Sequence, residues 1–320
     1  MASLEAQQLE AQLRSLNEQV VGAGPPNIEA LRAGADQMAG LATPVEGVEV
    51  RMVDANGCAA VMHLPEKASE DRIVMWTHGG GYNVGSARTH ERMISHLAVA
   101  AGCRILNLDF QRAPEHPYPA AHHDALNAFR WLVGHGHEPA TIAVGGDSAG
   151  GGLALSTLLA LRDSGCHAAA GILISPWTDL TLSTPAVRQR AHRDTMISVP
   201  AMHFMAANYL AGHDARDPVV SPLFADLAGL PPLYIAVSED EVLYDDGALV
   251  ADRARAAGTE VEFDARDGLP HVYTLWAGNL PEADETIARI GAWLRRTSGE
   301  AALTTQRPGS PSSDDRLDDS

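Results

Sequence analysis

Cysteine is scarce: the 320-residue chain has three, Cys58, Cys103 and Cys166, an odd number set far apart. That spacing excludes a CxxC ligand pair and a disulfide framework, so the thiols are expected to be reduced, structural residues. Positive charge is also in short supply, with 23 Lys and Arg against 41 Asp and Glu and a formal net charge of −18. A surface of that sign is repelled by phosphate backbones and anionic lipid, which argues against nucleic acid as a partner. No apolar run approaches the roughly 18 residues a membrane-spanning helix needs, and mean hydropathy is −0.10. The opening MASLEAQQLE holds two glutamates and neither a basic nor an apolar block, so no secretory signal is expected. A cytoplasmic location without membrane insertion follows as an expectation.

What is present is enough chain for one large α/β core. Leu4, Leu9, Leu13, Leu16 and Val20 recur at near-helical spacing, predicting an amphipathic helix over 2–21 that stops at the Gly22 to Pro26 cluster. Segments 48–53 and 59–64, joined through Asn56-Gly57, predict an antiparallel hairpin at a sheet edge. Beyond it, apolar runs at 73–76, 104–108, 141–144, 170–174, 233–237 and 261–263 alternate with helical patterns. Those helices are expected near 89–101, 120–133, 149–163, 245–257 and 282–296. Such alternation predicts a mostly parallel sheet covered on both faces. The stretch 180–212, rich in Arg, His and Met, reads as a helical insertion able to form a lid. The closing GSPSSDDRLDDS has little to bury and is expected to be disordered. The expected division is therefore N-terminal cap helices over 1–45, a catalytic unit over 46–296 and an acidic tail over 297–320.

The strongest local signal is TIAVGGDSAGG, an apolar strand running into Gly146-Asp147-Ser148-Ala149-Gly150 and then into a helical pattern. In a G-x-S-x-G elbow the serine sits on a strained turn, and the flanking glycines let strand and helix approach without Cβ clashes. The competing reading, a glycine-rich phosphate cradle, needs G-x-G-x-x-G spacing, which fails because position 147 is Asp. A second cluster, His78-Gly79-Gly80-Gly81-Tyr82, follows the strand at 73–76. Consecutive glycines can turn backbone N–H groups inward, as acyl transfer requires where a carbonyl becomes an oxyanion. A merely flexible loop would not predict the elbow about 70 residues downstream.

HGGGY, DFQRAPEHPYPAA (109–121), GDSAGG, SPWTDL (175–180), EVLYDDG (241–247) and PHVY (270–273), in that order, closely resemble the hormone-sensitive-lipase family of α/β-hydrolases. The resemblance covers about residues 45–296 and implies a bacterial-type carboxylesterase with an eight-stranded, mostly parallel sheet flanked by helices. It further implies a helical cap made from the N-terminus and the 180–212 insertion, Ser148 as nucleophile, and Gly80, Gly81 and Ala149 as oxyanion donors. Two departures stand out. Phe110-Gln111 replaces the family's Tyr-Arg, which loses a structural arginine near the oxyanion loop or hands its place to Arg112. Val242 replaces a proline in the acid motif, where Asp240 and Glu241 stand side by side. Aligned on Leu243, Asp245, Asp246 and Gly247, the motif puts its first acid on Glu241. Asp245 and Asp246 are then expected to cap the following helix.

Of 14 histidines, His271 lies just after the last strand pattern, behind Gly268-Leu269-Pro270. The order Ser148, Glu241, His271 is the Ser, acid, His order of this fold. His135 and His137, flanking Gly136, and the pair His122-His123 lack a carboxylate or thiol companion, so no metal and no cofactor is expected. The resulting expectation is a serine carboxylester hydrolase acting on a small-molecule ester. Lactone, carbonate or amide hydrolysis by the same residues remains open, as does a non-catalytic ligand-binding relative. A homodimer and a monomer are both left open.

Overall fold

The computed structural model describes residues 2–20 and 27–305. The expected helix stop at 22–26 and the last fifteen positions, 306–320, lie outside the described residues. Eight strands form one sheet: β1 (Val48–Ala55), β2 (Cys58–Pro65), β3 (Ser69–Thr77), β4 (Cys103–Leu108), β5 (Ile142–Asp147), β6 (Ala170–Ile174), β7 (Leu233–Ser238) and β8 (Val261–Arg266). Their order is β1-β2-β4-β3-β5-β6-β7-β8. β1 and β2 form an antiparallel hairpin, β2 pairs antiparallel with β4, and every later pairing is parallel. The hairpin turns through Asn56 and Gly57, both with positive φ (57° and 90°), the geometry that makes Asn-Gly favourable there. On the exposed edge strand β1, Met52 lies in solvent.

The nine helices of the described residues are α1 (Leu4–Val20), α2 (Ile28–Asp36), α3 (Ala87–Ala101), α4 (Ala120–Gly134), α5 (Ala149–Asp163), α6 (Pro185–Gln189), α7 (Val199–Leu210), α8 (Tyr244–Ala256) and α9 (Pro281–Thr305). Successive strand side chains point to opposite faces. Ile73 and Met75 of β3, with Leu233, Ile235 and Val237 of β7, pack with α5 and α8 on one face. Val74, Trp76, Tyr234 and Ala236 pack with α3 and α9 on the other. Double coverage explains why β5, β6 and β7 are buried along their whole length and read as apolar runs.

Four differences from the sequence reading concern helices. α2 carries no expectation of its own, and α9 runs on to Thr305 rather than ending near 296. On α1, Ala6 is fully buried while Leu4, expected in the apolar stripe, is exposed. The first-turn acids of α8 do not cap it. Asp246 Oδ2 accepts from Thr178 N (2.7 Å) and Asp179 N (2.9 Å), and Asp245 Oδ2 accepts from Ala186 N (2.7 Å). These carboxylates tie the loop after β6 and the start of α6 to the body, a long-range role that helix-end rules do not anticipate.

Candidate active site

The sheet topology gathers the candidate residues at one edge. His78-Gly79-Gly80-Gly81 follows β3, Ser148 follows β5, Glu241 follows β7 and His271 follows β8. All four sit beyond carboxyl ends of parallel strands, where open α/β sheets place their ligands.

Ser148 joins β5 to α5 with φ 54° and ψ −124°, a conformation that costs a non-glycine residue about 1–3 kcal/mol. The turn is pinned from both sides. Ser148 N donates to Ile174 O (2.8 Å), and Ser148 O accepts from Trp177 N (2.8 Å) and Gly152 N (3.1 Å). Gly146 and Gly150 cannot carry a Cβ: at Gly146 it would overlap the Gly150 carbonyl, and at Gly150 the Thr77 carbonyl. Beneath the serine, buried Asp147 accepts from Trp76 Nε1 (3.1 Å) and meets His90 Nε2 (3.1 Å). Burial opposes its charge, but His90 and the hydrogen bonds outweigh burial and hold its pKa below the usual carboxylate value.

In the glycine loop the carbonyls are engaged inward. Gly80 O accepts from Asn83 N (3.0 Å) and Val84 N (2.9 Å), and Gly81 O from Asn83 Nδ2 (2.6 Å). Gly80 and Gly81 have φ of 116° and 59°. Among the described residues no acceptor takes the N–H of Gly80, Gly81 or Ala149. The loop's outer side is held by two arginines. Arg112 donates to Gly85 O, and Arg32 of α2 donates to Asn83 O and Ala113 O (3.1 Å each). Gln111 turns away to Asp124 (3.2 Å). The arginine contact that Phe110-Gln111 put in question is thus made, partly by a residue from α2.

Glu241 is buried, its Oε1 accepting from Ser238 N (3.0 Å) and its Oε2 meeting His271 Nδ1. Burial alone would lower the histidine's pKa, but the Glu241 charge and hydrogen bond reverse this and raise it above the ordinary value. The carboxylate puts the proton on Nδ1 and leaves Nε2 as the basic nitrogen. The neighbouring Asp240 does not reach the imidazole: it accepts from Gly268 N (2.8 Å) and pairs with Arg193.

Ser148 and His271 line one cavity of about 250 Å³ together with Gly80, Gly81, Trp177, Met196, Met202, Met205 and Leu243. No Ser148–His271 hydrogen bond is formed in this structure; such contacts often tighten only with substrate bound. Leu31 and Met38 of the N-terminal segment complete the cavity wall, and sequence reasoning missed both. A larger surface groove of about 710 Å³ lies at the β1–β2 edge, with Glu49, Arg51, Glu66, Glu70 and Arg104 in its lining and none of the candidate residues. His122 meets Ser156 Oγ (3.3 Å), and His135 the Trp131 carbonyl (2.8 Å). Among the described residues no group of three or more His, Cys, Asp or Glu could hold a metal, and no helix is long and apolar enough to cross a membrane.

A strained serine at a strand-to-helix elbow, facing a histidine backed by a carboxylate, defines the class: an α/β-hydrolase. The family model for the alpha/beta hydrolase fold matches residues 74–275. An acetyl-hydrolase of Streptomyces hygroscopicus is 40% identical over 250 residues, covering 78% of this chain and 83% of that protein. Carboxylesterase NlhH of Mycobacterium tuberculosis is 35% identical over 234 residues, covering 70% and 73%. The crystal structure of an esterase from the bacterial hormone-sensitive lipase family superposes with a TM-score of 0.87 at 38% identity, over 93% of this chain and 100% of that one. The chain belongs to the hormone-sensitive-lipase family of α/β-hydrolases, and it is a carboxylesterase.

Proposed function

We propose that this carboxylesterase works through an acyl-enzyme on Ser148, with His271 as general base and acid and Glu241 as the carboxylate that orients it. The observation that carries the reading is the convergence, around one cavity, of the strained serine, the carboxylate-backed imidazole and Gly80 and Gly81, whose N–H groups, like that of Ala149 next to the serine, have no acceptor among the described residues. His271 Nε2 takes the Ser148 proton as the hydroxyl attacks the ester carbonyl, and the N–H groups of Gly80, Gly81 and Ala149 stabilise the oxyanion. The imidazolium then protonates the leaving alcohol, and a water activated by the same nitrogen hydrolyses the acyl-serine.

The substrate class is small esters with short acyl chains. A cavity of about 250 Å³ lined by methionines, Trp177 and aliphatic side chains favours a compact apolar group, and it falls below the ~300–1,000 Å³ usual for sites that enclose drug-sized ligands. The name of the Streptomyces relative, an acetyl-hydrolase, points the same way. The N-terminal segment and the 180–212 insertion act as the cap, a reading supported by Leu31, Met38 and residues between Met196 and Met205, which line the cavity with Ser148. The test is a graded series of p-nitrophenyl esters. Turnover should peak at acetate or butyrate and fall steadily toward decanoate; a maximum at long chains would refute the substrate reading.

A further inference from the structure

The segment between α6 and α7 carries Arg193 and Asp194, neither of which enters the mechanism above. Asp194 uses both carboxylate oxygens. Oδ1 accepts from Met196 N and Ile197 N (2.8 Å each), and Oδ2 accepts from Val242 N (2.9 Å). Met196 and Ile197 line the cavity that holds Ser148, and Val242 directly follows Glu241. One side chain of the insertion therefore joins a wall of the pocket to the turn that presents the acid. An amide could not replace it: Asn has one acceptor oxygen, and its NH₂ would confront donors on one side or the other.

The charge matters as well as the hydrogen bonds. Burial pushes the Asp194 carboxyl above its ordinary pKa, opposed by the nearby His271 and by the three backbone N–H groups. His271 in turn faces three anions from three elements: Glu241 after β7, Asp194 from the insertion and Asp147 at the end of β5. Around Asp194 the further charged groups are Glu10 of α1, which lies beside Arg14, and Asp240, paired with Arg193. Arg193 also reaches Asp267 (3.6 Å), so at the surface it ties the insertion both to Asp240 in the acid turn and to the segment after β8 that leads to His271.

We propose that Asp194 is a positioning residue for the Glu241–His271 pair, clamping the 241–242 turn to the cap through its contacts with Met196 N, Ile197 N and Val242 N. The proposal rests on the triad reading given above. It makes the cap part of the acid-base machinery as well as a wall for substrate: Asp194 ties the 190–198 segment to the turn that presents Glu241.

The experiment compares wild type, Asp194→Asn and Arg193→Gln by pH profiles of kcat and KM on p-nitrophenyl acetate, with fluorophosphonate labelling and circular dichroism alongside. Asp194→Asn should fold, lose about tenfold or more in kcat because the acid turn is misplaced, and change KM by less than about threefold. Removing the anion favours neutral imidazole, so the acid limb of kcat/KM should move down by at least about 0.5 pH. Arg193→Gln removes exposed ion pairs, so it should stay within about threefold of wild type with no downward shift. Asp194→Asn activity within twofold of wild type with an unmoved limb overturns the proposal. So does a loss that only tracks the unfolded fraction. Should Asp194→Asn not fold, hydrogen exchange in wild type decides: a Val242 amide protected by about 100-fold or more supports the clamp, and an unprotected one overturns it. Failure of the triad reading shows separately, as wild-type labelling away from Ser148.

Discussion

Replacing Glu241 by Gln is the perturbation that the geometry makes most informative. Glu241 is 1% exposed, and its two oxygens are committed to Ser238 N and His271 Nδ1. Gln fits the same space and can still accept from Ser238 N. Its NH₂ then faces Nδ1, which must become an acceptor, so the ring proton moves to Nε2 and the nitrogen facing the serine is no longer basic. A tautomer inversion of this kind costs about 10⁴ in kcat, which at about 1.36 kcal/mol per decade is roughly 5.4 kcal/mol of transition-state stabilisation. The neighbouring substitution Asp240→Asn is the control. Asp240 meets Gly268 N and Arg193 at the rim, with 15% of its side chain exposed, and it does not touch the imidazole. Weakening a rim contact should cost less than about tenfold. Both variants, checked by circular dichroism, are assayed on p-nitrophenyl acetate at about pH 8. A dead Asp240→Asn beside a normal Glu241→Gln would refute the reasoning and shift the acid by one position.

Three further outcomes follow from the same geometry. Gly81→Ala should lower kcat by about 10²–10³, as for loss of an oxyanion donor: its φ is 59° and a Cβ there would overlap Met205 Sδ. Unchanged kcat in a stopped-flow assay would remove that N–H from the site. Met205→Ala opens the cavity beside Gly81 and should move the acyl optimum to longer chains; an unchanged chain-length profile would show that the acyl group lies elsewhere. The third concerns pH. Burial disfavours charged His271, yet Glu241 raises its pKa above 6.5, so kcat/KM should climb with pH through a limb lying above 6.5. The linked stability is fully present below the unfolded value of about 6.5 and is lost as pH rises through the folded one. Glu241→Gln should flatten that Tm slope.

The sheet was legible because both of its faces are covered: β5, β6 and β7 are buried along their length and each carries a continuous run of mostly apolar residues, which is a local signal. The serine and the glycine loop were legible for the same local reason, since strained turns demand glycine at fixed offsets. Side chains that act across the fold were not. Asp245 and Asp246 stand where helix-capping acids stand, but their partners Ala186, Thr178 and Asp179 are 59, 68 and 67 positions away in sequence. Arg32 supports the glycine loop from α2, and Leu31 and Met38 line the cavity, through contacts that no periodicity announces. Asp194 is likewise an ordinary Arg-Asp dipeptide in the sequence, and only the insertion's path brings it to Val242.

The most direct test of the account is covalent labelling with a fluorophosphonate, followed by tryptic digestion and mass spectrometry of wild type and Ser148→Ala. The account predicts stoichiometric label on Ser148, coincident loss of esterase activity, and a folded alanine variant that takes no label and has lost about 10⁴–10⁶ in kcat. Label on a different serine, or ester turnover by Ser148→Ala at the wild-type rate, would contradict it.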